Sequence, residues 1–150
     1  MHLRNATLSD VGFLTDVVVE ATRDQGRLAA DFDEASFRHG FGARTGREVR
    51  GEIADSSTYV IEVGGEAVGR LRVIRTESSV ELAGLQLLPR CQSRGIGSRI
   101  VRRLMDEAAA TGLPFGLEVE KDNPRARALY ERLGMHLVGE NDTDHHLRAT

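Results

Sequence analysis

The chain has 150 residues, 40% of them hydrophobic, a formal net charge of −3 and one cysteine. That size suits one domain, residues 1–150, around one core. The charge speaks against general nucleic-acid binding, and a lone Cys91 excludes an internal disulfide framework or a cysteine zinc cluster. The apolar runs fall far short of a membrane span and Met1–Asn5 lacks the apolar core of a signal peptide, so the expected compartment is the cytoplasm.

His2–Ala6 reads as a short strand. Thr7 or Ser9 can cap a helix to about Thr22, with Val11, Leu14, Val17, Val18 and Ala21 at helical spacing. A loop follows over Gln25–Asp31. A second helix is expected over Asp33–Ile53, with Phe37, Phe41 and Val49 on one face, although Gly40, Gly42 and Gly46 weaken it. Thr58–Val63, Ala67–Arg75 and Val80–Leu88 are strand-like and separated by turns at Gly64-Gly65 and Ser78-Ser79, which predicts an antiparallel meander. Arg70, Arg72 and Arg75 form a basic stripe expected on a solvated strand face, with attraction of an acidic substrate as the alternative. The next helix is the clearest: Ile96, Ile100, Val101, Leu104, Met105 and Ala108 form one apolar stripe, and Gly112 ends it. Leu117–Glu120 is a short strand. Asn123 as N-cap and Pro124 at the first position start a helix that Gly134 closes. Leu137–Glu140 and His145–Arg148 can form a final hairpin. The expected order is β-α-α-β-β-β-α-β-α-β-β.

Between the third strand of the meander and the clear helix lies Gln92-Ser93-Arg94-Gly95-Ile96-Gly97. A glycine-bearing loop that opens a helix aims several main-chain N–H groups at one point, where the helix dipole favours an anion. Three phosphate loops and an ordinary strand-to-helix turn compete for this segment. A P-loop requires Gly-Lys-Ser/Thr, but Ser98 and Arg99 follow Gly97. A dinucleotide fingerprint requires a third glycine where Ile100 stands, in an early βαβ unit. The third is a Gln/Arg-x-x-Gly-x-Gly/Ala loop, which Gln92, Gly95 and Gly97 satisfy.

That last loop resembles the pyrophosphate loop of the GCN5-related N-acetyltransferases (GNAT). Leu87-Leu88-Pro89 resembles the family's strand end, with its pantetheine contacts. Asn123-Pro124-Arg125-Ala126-Arg127-Ala128-Leu129-Tyr130 resembles its Asn-x-x-Ala-x-x-Leu-Tyr helix, and Glu131-Arg132-Leu133-Gly134-Met135 the Glu-x-Leu-Gly-Phe segment that follows. The motif resemblance spans about Leu85–Val138; residues 1–84 agree in layout only. Cys91 stands where the family often has Tyr, and Met135 where it commonly has Phe. The resemblance implies an α/β (α+β) acyl-CoA N-acyltransferase fold, a mixed, mostly antiparallel sheet flanked by helices. It implies acetyl-CoA as cosubstrate, an amine-bearing acceptor and no metal. Homodimers are common in that family; the sequence leaves the oligomeric state open.

The resemblance places acetyl-CoA on Leu85, Leu87, Leu88, Gln92, Ser93, Arg94, Gly95, Ile96, Gly97, Ser98, Asn123, Ala126 and Tyr130. The Leu87 N–H would donate to the acetyl carbonyl and the Tyr130 phenol would protonate the leaving sulfur, with packing of a half-buried Tyr130 under the cofactor as the plain alternative. A core role for Leu85 and Leu87, and helix capping for Asn123, are equally open. Two carboxylates compete as general base: Glu118, twelve residues before Tyr130 as in members that acetylate protein N-termini, and Glu81, at the start of the central strand. Surface ion pairing is the plain alternative for both. His39, His145 and His146 are further titratable groups; adjacent His145 and His146 on a strand point to opposite faces. The acidity of Gln25–Phe41 mildly favours a cationic acceptor. An acyl-CoA-binding domain without catalysis is the second functional reading, and a nucleotide phosphotransferase, which lacks its Lys, the third.

Overall fold

A computed structural model of the chain describes residues Met1–Ala149. Among the described residues there are seven strands and four helices, in the order expected from the sequence: β1 (His2–Asn5), α1 (Val11–Asp24), α2 (Glu34–Val49), β2 (Ser56–Val63), β3 (Glu66–Arg75), β4 (Val80–Leu87), α3 (Ile96–Thr111), β5 (Phe115–Glu120), α4 (Pro124–Arg132), β6 (Met135–Glu140) and β7 (Asp144–Ala149). The strands hydrogen-bond in the order β1-β2-β3-β4-β5-β7-β6. β4 and β5 are parallel, whereas β1–β2, β5–β7 and β6–β7 are antiparallel. No helix among the described residues is long and apolar enough to cross a membrane. The chain forms two compact units, one from Met1–Arg72 and Gly84–Arg94, the other from Val73–Ala83 and from Gly95 onward.

In the first unit, a short turn at Leu8–Asp10 leads into α1. The Thr7 N–H donates to Asp10 Oδ2 (2.8 Å), and Arg4 grips the same carboxylate through two N–H groups (2.9 and 3.0 Å). This pairing holds the Asp10 carboxyl well below the usual range, at about 2. α1 buries Leu14, Val17 and Ala21, and β2 and β3 bury Val60, Ile61, Val68 and Leu71. α2 starts at the Asp33 cap, which accepts from the Ser36 N–H (3.1 Å), and ends at Val49, four residues short of the expected Ile53.

The basic stripe departs from expectation. Arg70 and Arg72 are buried, not solvated. The inner face of α2 carries Glu48, which lies 3.2 Å from Arg72, 3.3 Å from Arg44 and accepts from the Thr58 hydroxyl (3.3 Å). A buried carboxylate on the helix thus replaces water as the partner of the strand arginine, which is the condition for burying such a charge.

In the second unit, α3 buries Ile96, Ile100, Val101, Leu104 and Ala108, the stripe read from the sequence. Arg75 and Glu107 form a two-point ion pair (2.6 and 3.0 Å). From Leu117 on, β5 alternates: Leu117 and Val119 are buried and Glu118 and Glu120 exposed, while Phe115 and Gly116 are both buried. Both α3 and α4 pack on β5, so they cover its buried face and leave the glutamate face open. A register shift between Leu137 and Gly139 marks a bulge in β6 against β7.

Candidate active site

The end of β4 is bonded to β3 on one edge, and on the other it runs past the ladder to β5. The Leu88 N–H donates to the Val68 carbonyl (2.9 Å), which directs that residue's main chain towards β3. Because main-chain groups alternate sides along a strand, the N–H groups of Leu85 and Leu87 are turned to the other edge. The parallel ladder on that edge pairs Val80, Glu81 and Leu82 with Phe115, Gly116 and Leu117 and goes no further, while β4 runs on to Leu87. The Leu87 carbonyl accepts from the Gln92 side-chain amide (3.1 Å), tying the loop back to the strand end. Between them Pro89 opens a tight turn, closed by Cys91 N–H to the Leu88 carbonyl (2.8 Å) and Gln92 N–H to the Pro89 carbonyl (3.2 Å). Cys91 is buried and free. Ser93 and Arg94 are exposed, and Ser93 holds φ +61°, an unfavourable setting for a non-glycine residue.

Gly95 caps α3 with φ +78°, and no atom lies within 4 Å of where a Cβ would stand. The Arg99 N–H, bonded to the Gly95 carbonyl (3.1 Å), is the first amide with a partner one turn back. The amides of Ile96, Gly97 and Ser98 precede it and have no such acceptor. No acidic side chain lies in this first turn. The loop therefore offers main-chain donors and a positive dipole end, with space in front of them.

On α4, the Asn123 side chain accepts from the Ala126 N–H (3.3 Å), so capping is the role that the geometry gives it. Tyr130, on the same helix, is buried to 9% exposure. Burial alone pushes its phenol up to about 12, because the phenolate would lose its hydration there.

The two candidate bases line one cleft of the second unit, of about 400 Å³, with Ile74, Leu82, Ala83, Leu117, His146, Leu147 and Arg148. Strand register explains the grouping. Glu81 lies opposite Gly116, Gly116 opposite Arg148, and Glu118 opposite His146. Directly opposed residues share a face, and Gly116 and Glu118 are two apart, so all five lie on one face. Arg148 Nη1 is 3.4 Å from Glu81 Oε1, and His146 Nε2 is 3.4 Å from Glu118 Oε1. The Glu81–Arg148 pair crosses above Gly116, where a Cβ would come within 2.7 Å of the carboxylate and 2.9 Å of the guanidinium. Glu118 is the first residue of β5 beyond the ladder, and Glu81 lies inside it. His145 points the other way, as strand alternation requires, and stands 3.3 Å from Glu140. His39 is exposed on α2. Alternation along β7 puts His146 and Arg148 on one face, but only the register shows that they oppose Glu118 and Gly116.

A second cleft, of about 430 Å³, lies in the first unit and is lined by Phe13, Asp16, Glu20, Leu88, Pro89 and Arg90. Asp16 accepts from Arg38 (2.6 Å).

A sequence model of the acetyltransferase (GNAT) family matches residues 25–135. The N-alpha-acetyltransferase RimI of Mycobacterium tuberculosis is 41% identical over 78 residues, which are 51% of this chain and 47% of that protein. The matched stretch is thus about half the length of that curated relative. The structure of PaiA N-acetyltransferase from Thermoplasma acidophilum in complex with coenzyme A superposes with a TM-score of 0.83 at 16% identity, over 99% of this chain and 98% of the other. An acetyltransferase from Thermus thermophilus gives 0.76 at 17% identity, over 98% and 94%. At such identities the agreement is one of fold.

Proposed function

This chain belongs to the acetyltransferase (GNAT) family, and on that premise we propose that it moves the acetyl group of acetyl-CoA to a primary amine by direct attack in a ternary complex. The observation that carries the proposal is the end of β4 that the β5 ladder leaves uncovered, where the Leu87 carbonyl is taken by Gln92 and the N–H groups of Leu85 and Leu87 face outward. The ladder to β5 stops at Leu82 while the strand continues to Leu87. A strand edge left without a ladder partner can take an extended, amide-bearing ligand by the same hydrogen bonds that a neighbouring strand would use.

Acetyl-CoA supplies an activated acetyl thioester on a pantetheine arm with a pyrophosphate behind it. Leu85, Leu87 and Leu88 hold the arm, and the Leu87 N–H receives the developing charge on the acetyl oxygen. The amides of Gly95, Ile96, Gly97 and Ser98 take the pyrophosphate, with Ser93 and Arg94 beside them. Gln92 braces the loop through the Leu87 carbonyl. Asn123 fixes the start of α4 through the Ala126 amide and so sets the position of Tyr130. Tyr130 is buried and protonated at any working pH, so it can donate its proton to the leaving sulfur.

A base is needed because an amine of the lysine type, with a pKa of about 10.4, is neutral in only about one molecule in 2,500 at pH 7. Glu118 is the better placed of the two carboxylates. It stands one residue past the end of the ladder, and its neighbour His146 carries charge only when protonated. Glu81, inside the ladder, faces the permanent cation Arg148. Glu81 is the alternative base.

The test is calorimetry of CoA binding to the folded protein, followed by CoA release over a panel of amino acids, small amines and peptides with free α-amines. Uptake of CoA with release on at least one amine is expected. No uptake ends the proposal; uptake with no release on any amine leaves an acyl-CoA-binding domain.

A further inference from the structure

Three guanidinium groups, Arg44, Arg70 and Arg72, cluster around one buried carboxylate in the first unit. Glu48 engages Arg72 at 3.2 Å and Arg44 at 3.3 Å. Among the described residues no carboxylate pairs with Arg70. Its Nη1 donates to the neutral amide oxygen of Gln86 (2.9 Å), and its Cζ lies 5.0 Å from the centre of the Phe41 ring. Its Nε is enclosed without any hydrogen-bond partner among the described residues. The residue is only 6% exposed, so the charge is buried together with its unpartnered Nε. Burial pushes this guanidinium down to about 10, with Glu48 only partly offsetting the effect, so it is still a cation at neutral pH.

A buried cation with most of its donors unused is costly, and the cost is removed when an anion arrives. A guanidinium edge suits a carboxylate, which it can bind through two parallel N–H donors. Its position indicates whose carboxylate. Arg70 lies across β4 at Gly84, where a Cβ would come within 2.3 Å of Nη1, and it holds Gln86. This is the stretch of β4 assigned above to the thioester. The cofactor's phosphates have their own donors at the start of α3. A file of half-buried rings, Phe32, Phe37 and Phe41, with centres 5.6 and 5.5 Å apart, leads to the guanidinium and offers apolar cover.

We propose that Arg70 binds a carboxylate on the acceptor, so that the substrate class is an amine that also carries a carboxylate group. This rests on the acetyl-transfer reading and narrows it.

The experiment compares matched acceptors, α- and ω-amino acids of two to six carbons against their carboxamides. CoA release is measured with wild type, Arg70→Met and Arg70→Lys. Wild type is expected to favour the acids at least tenfold in kcat/KM, mainly through KM. Arg70→Met should erase that preference while leaving kcat on the carboxamides within twofold, and Arg70→Lys should retain part of it. Equal use of acids and carboxamides by wild type overturns the proposal, as does a preference that survives in Arg70→Met.

Melting curves decide the matter without turnover. The amino acids should raise the wild-type midpoint more than their carboxamides do, with no such difference in Arg70→Met. Unliganded Arg70→Met should melt no lower than wild type, whereas a purely structural arginine would make it melt lower. An equal shift with propionate alone would identify a free-anion site and overturn the assignment to the acceptor. Loss of CoA binding would end the acetyl-transfer reading, and the melting curves would still show whether Arg70 takes a carboxylate.

Discussion

Tyr130 offers the most direct check of the site, because its expected acid role and its burial have separate readouts. The phenol is raised from 10.0 to about 12, with burial as the cause. A shift of about two units corresponds to about 2.7 kcal/mol between protonation states. The direction follows from linkage. Below pH 10 both folded and unfolded chains carry the phenol proton. Above pH 10 the unfolded chain loses it first, so stability drains until the folded phenol ionises near pH 12. Urea denaturation at steps from pH 9 to pH 12 should therefore show wild type losing about 2–3 kcal/mol more than Tyr130→Phe, a difference in which other groups cancel. The chain has two tyrosines and no tryptophan, so ultraviolet titration of phenolate is uncluttered, and Tyr130→Phe should delete a step near 12. In turnover, Tyr130→Phe should lower kcat by about 10²–10⁴ and leave acetyl-CoA affinity nearly unchanged. A Tyr130 that titrates near 10 in the folded protein refutes the burial argument. Unchanged turnover in Tyr130→Phe refutes the acid role even if the titration behaves as expected.

The choice of base is tested by the pH dependence of kcat/KM: Glu118→Gln should shift its acid limb and Glu81→Gln should not, and the opposite result moves the role to Glu81. Gly95→Val forces a left-handed φ of +78° on a branched residue, at about 1–2 kcal/mol, and crowds the anion site; calorimetry should show acetyl-CoA binding weakened at least tenfold, and unaltered binding would remove the loop from the cofactor site. Glu48→Gln leaves Arg72 buried beside a neutral group and should cost about 3–5 kcal/mol in thermal or urea unfolding; a cost under about 1 kcal/mol would show that Arg72 is hydrated after all. The division between the two units cuts through β3 and β4, so a single cooperative unfolding transition, with the same midpoint by far- and near-ultraviolet dichroism, is expected of one domain.

Local chemistry made much of this fold legible before the structure. α3 and α4 were readable because each carries its own start and stop: Asn123 and Pro124 open α4, and Gly112 and Gly134 follow the two helices at positive φ. Strand β5 starts two residues before the expected Leu117, since Pro114 marks a break and Phe115-Gly116 lacks the alternation that begins at Leu117. The site was legible in part. Loop and strand end are contiguous in sequence, so their motif survives without a structure. The glutamate cleft is assembled from β4, β5 and β7, and no pattern within a single strand reveals that Gly116 is the space over which Glu81 and Arg148 meet.

The misreading of Arg70 and Arg72 has the same physical root as the weak signal of α2. Alternation assigns polar residues to water, and helical periodicity looks for apolar stripes. Here both signals fail at one interface, because α2 presents Thr45, Gly46 and Glu48 inward in place of an aliphatic stripe. The helix reads as marginal and the strand as half-exposed, yet each is the other's cover. Charge complementarity over Arg72 resolves one half of that interface. Over Arg70 the described residues supply no such complement, because Gln86 offers a dipole and Phe41 a ring face, and neither carries a negative charge. A sheet face that buries two arginines against one glutamate leaves one cation without a charged partner, a cost that an arriving anion would remove. That is why the acid-against-carboxamide comparison at Arg70 tests the packing of this interface as well as the choice of substrate.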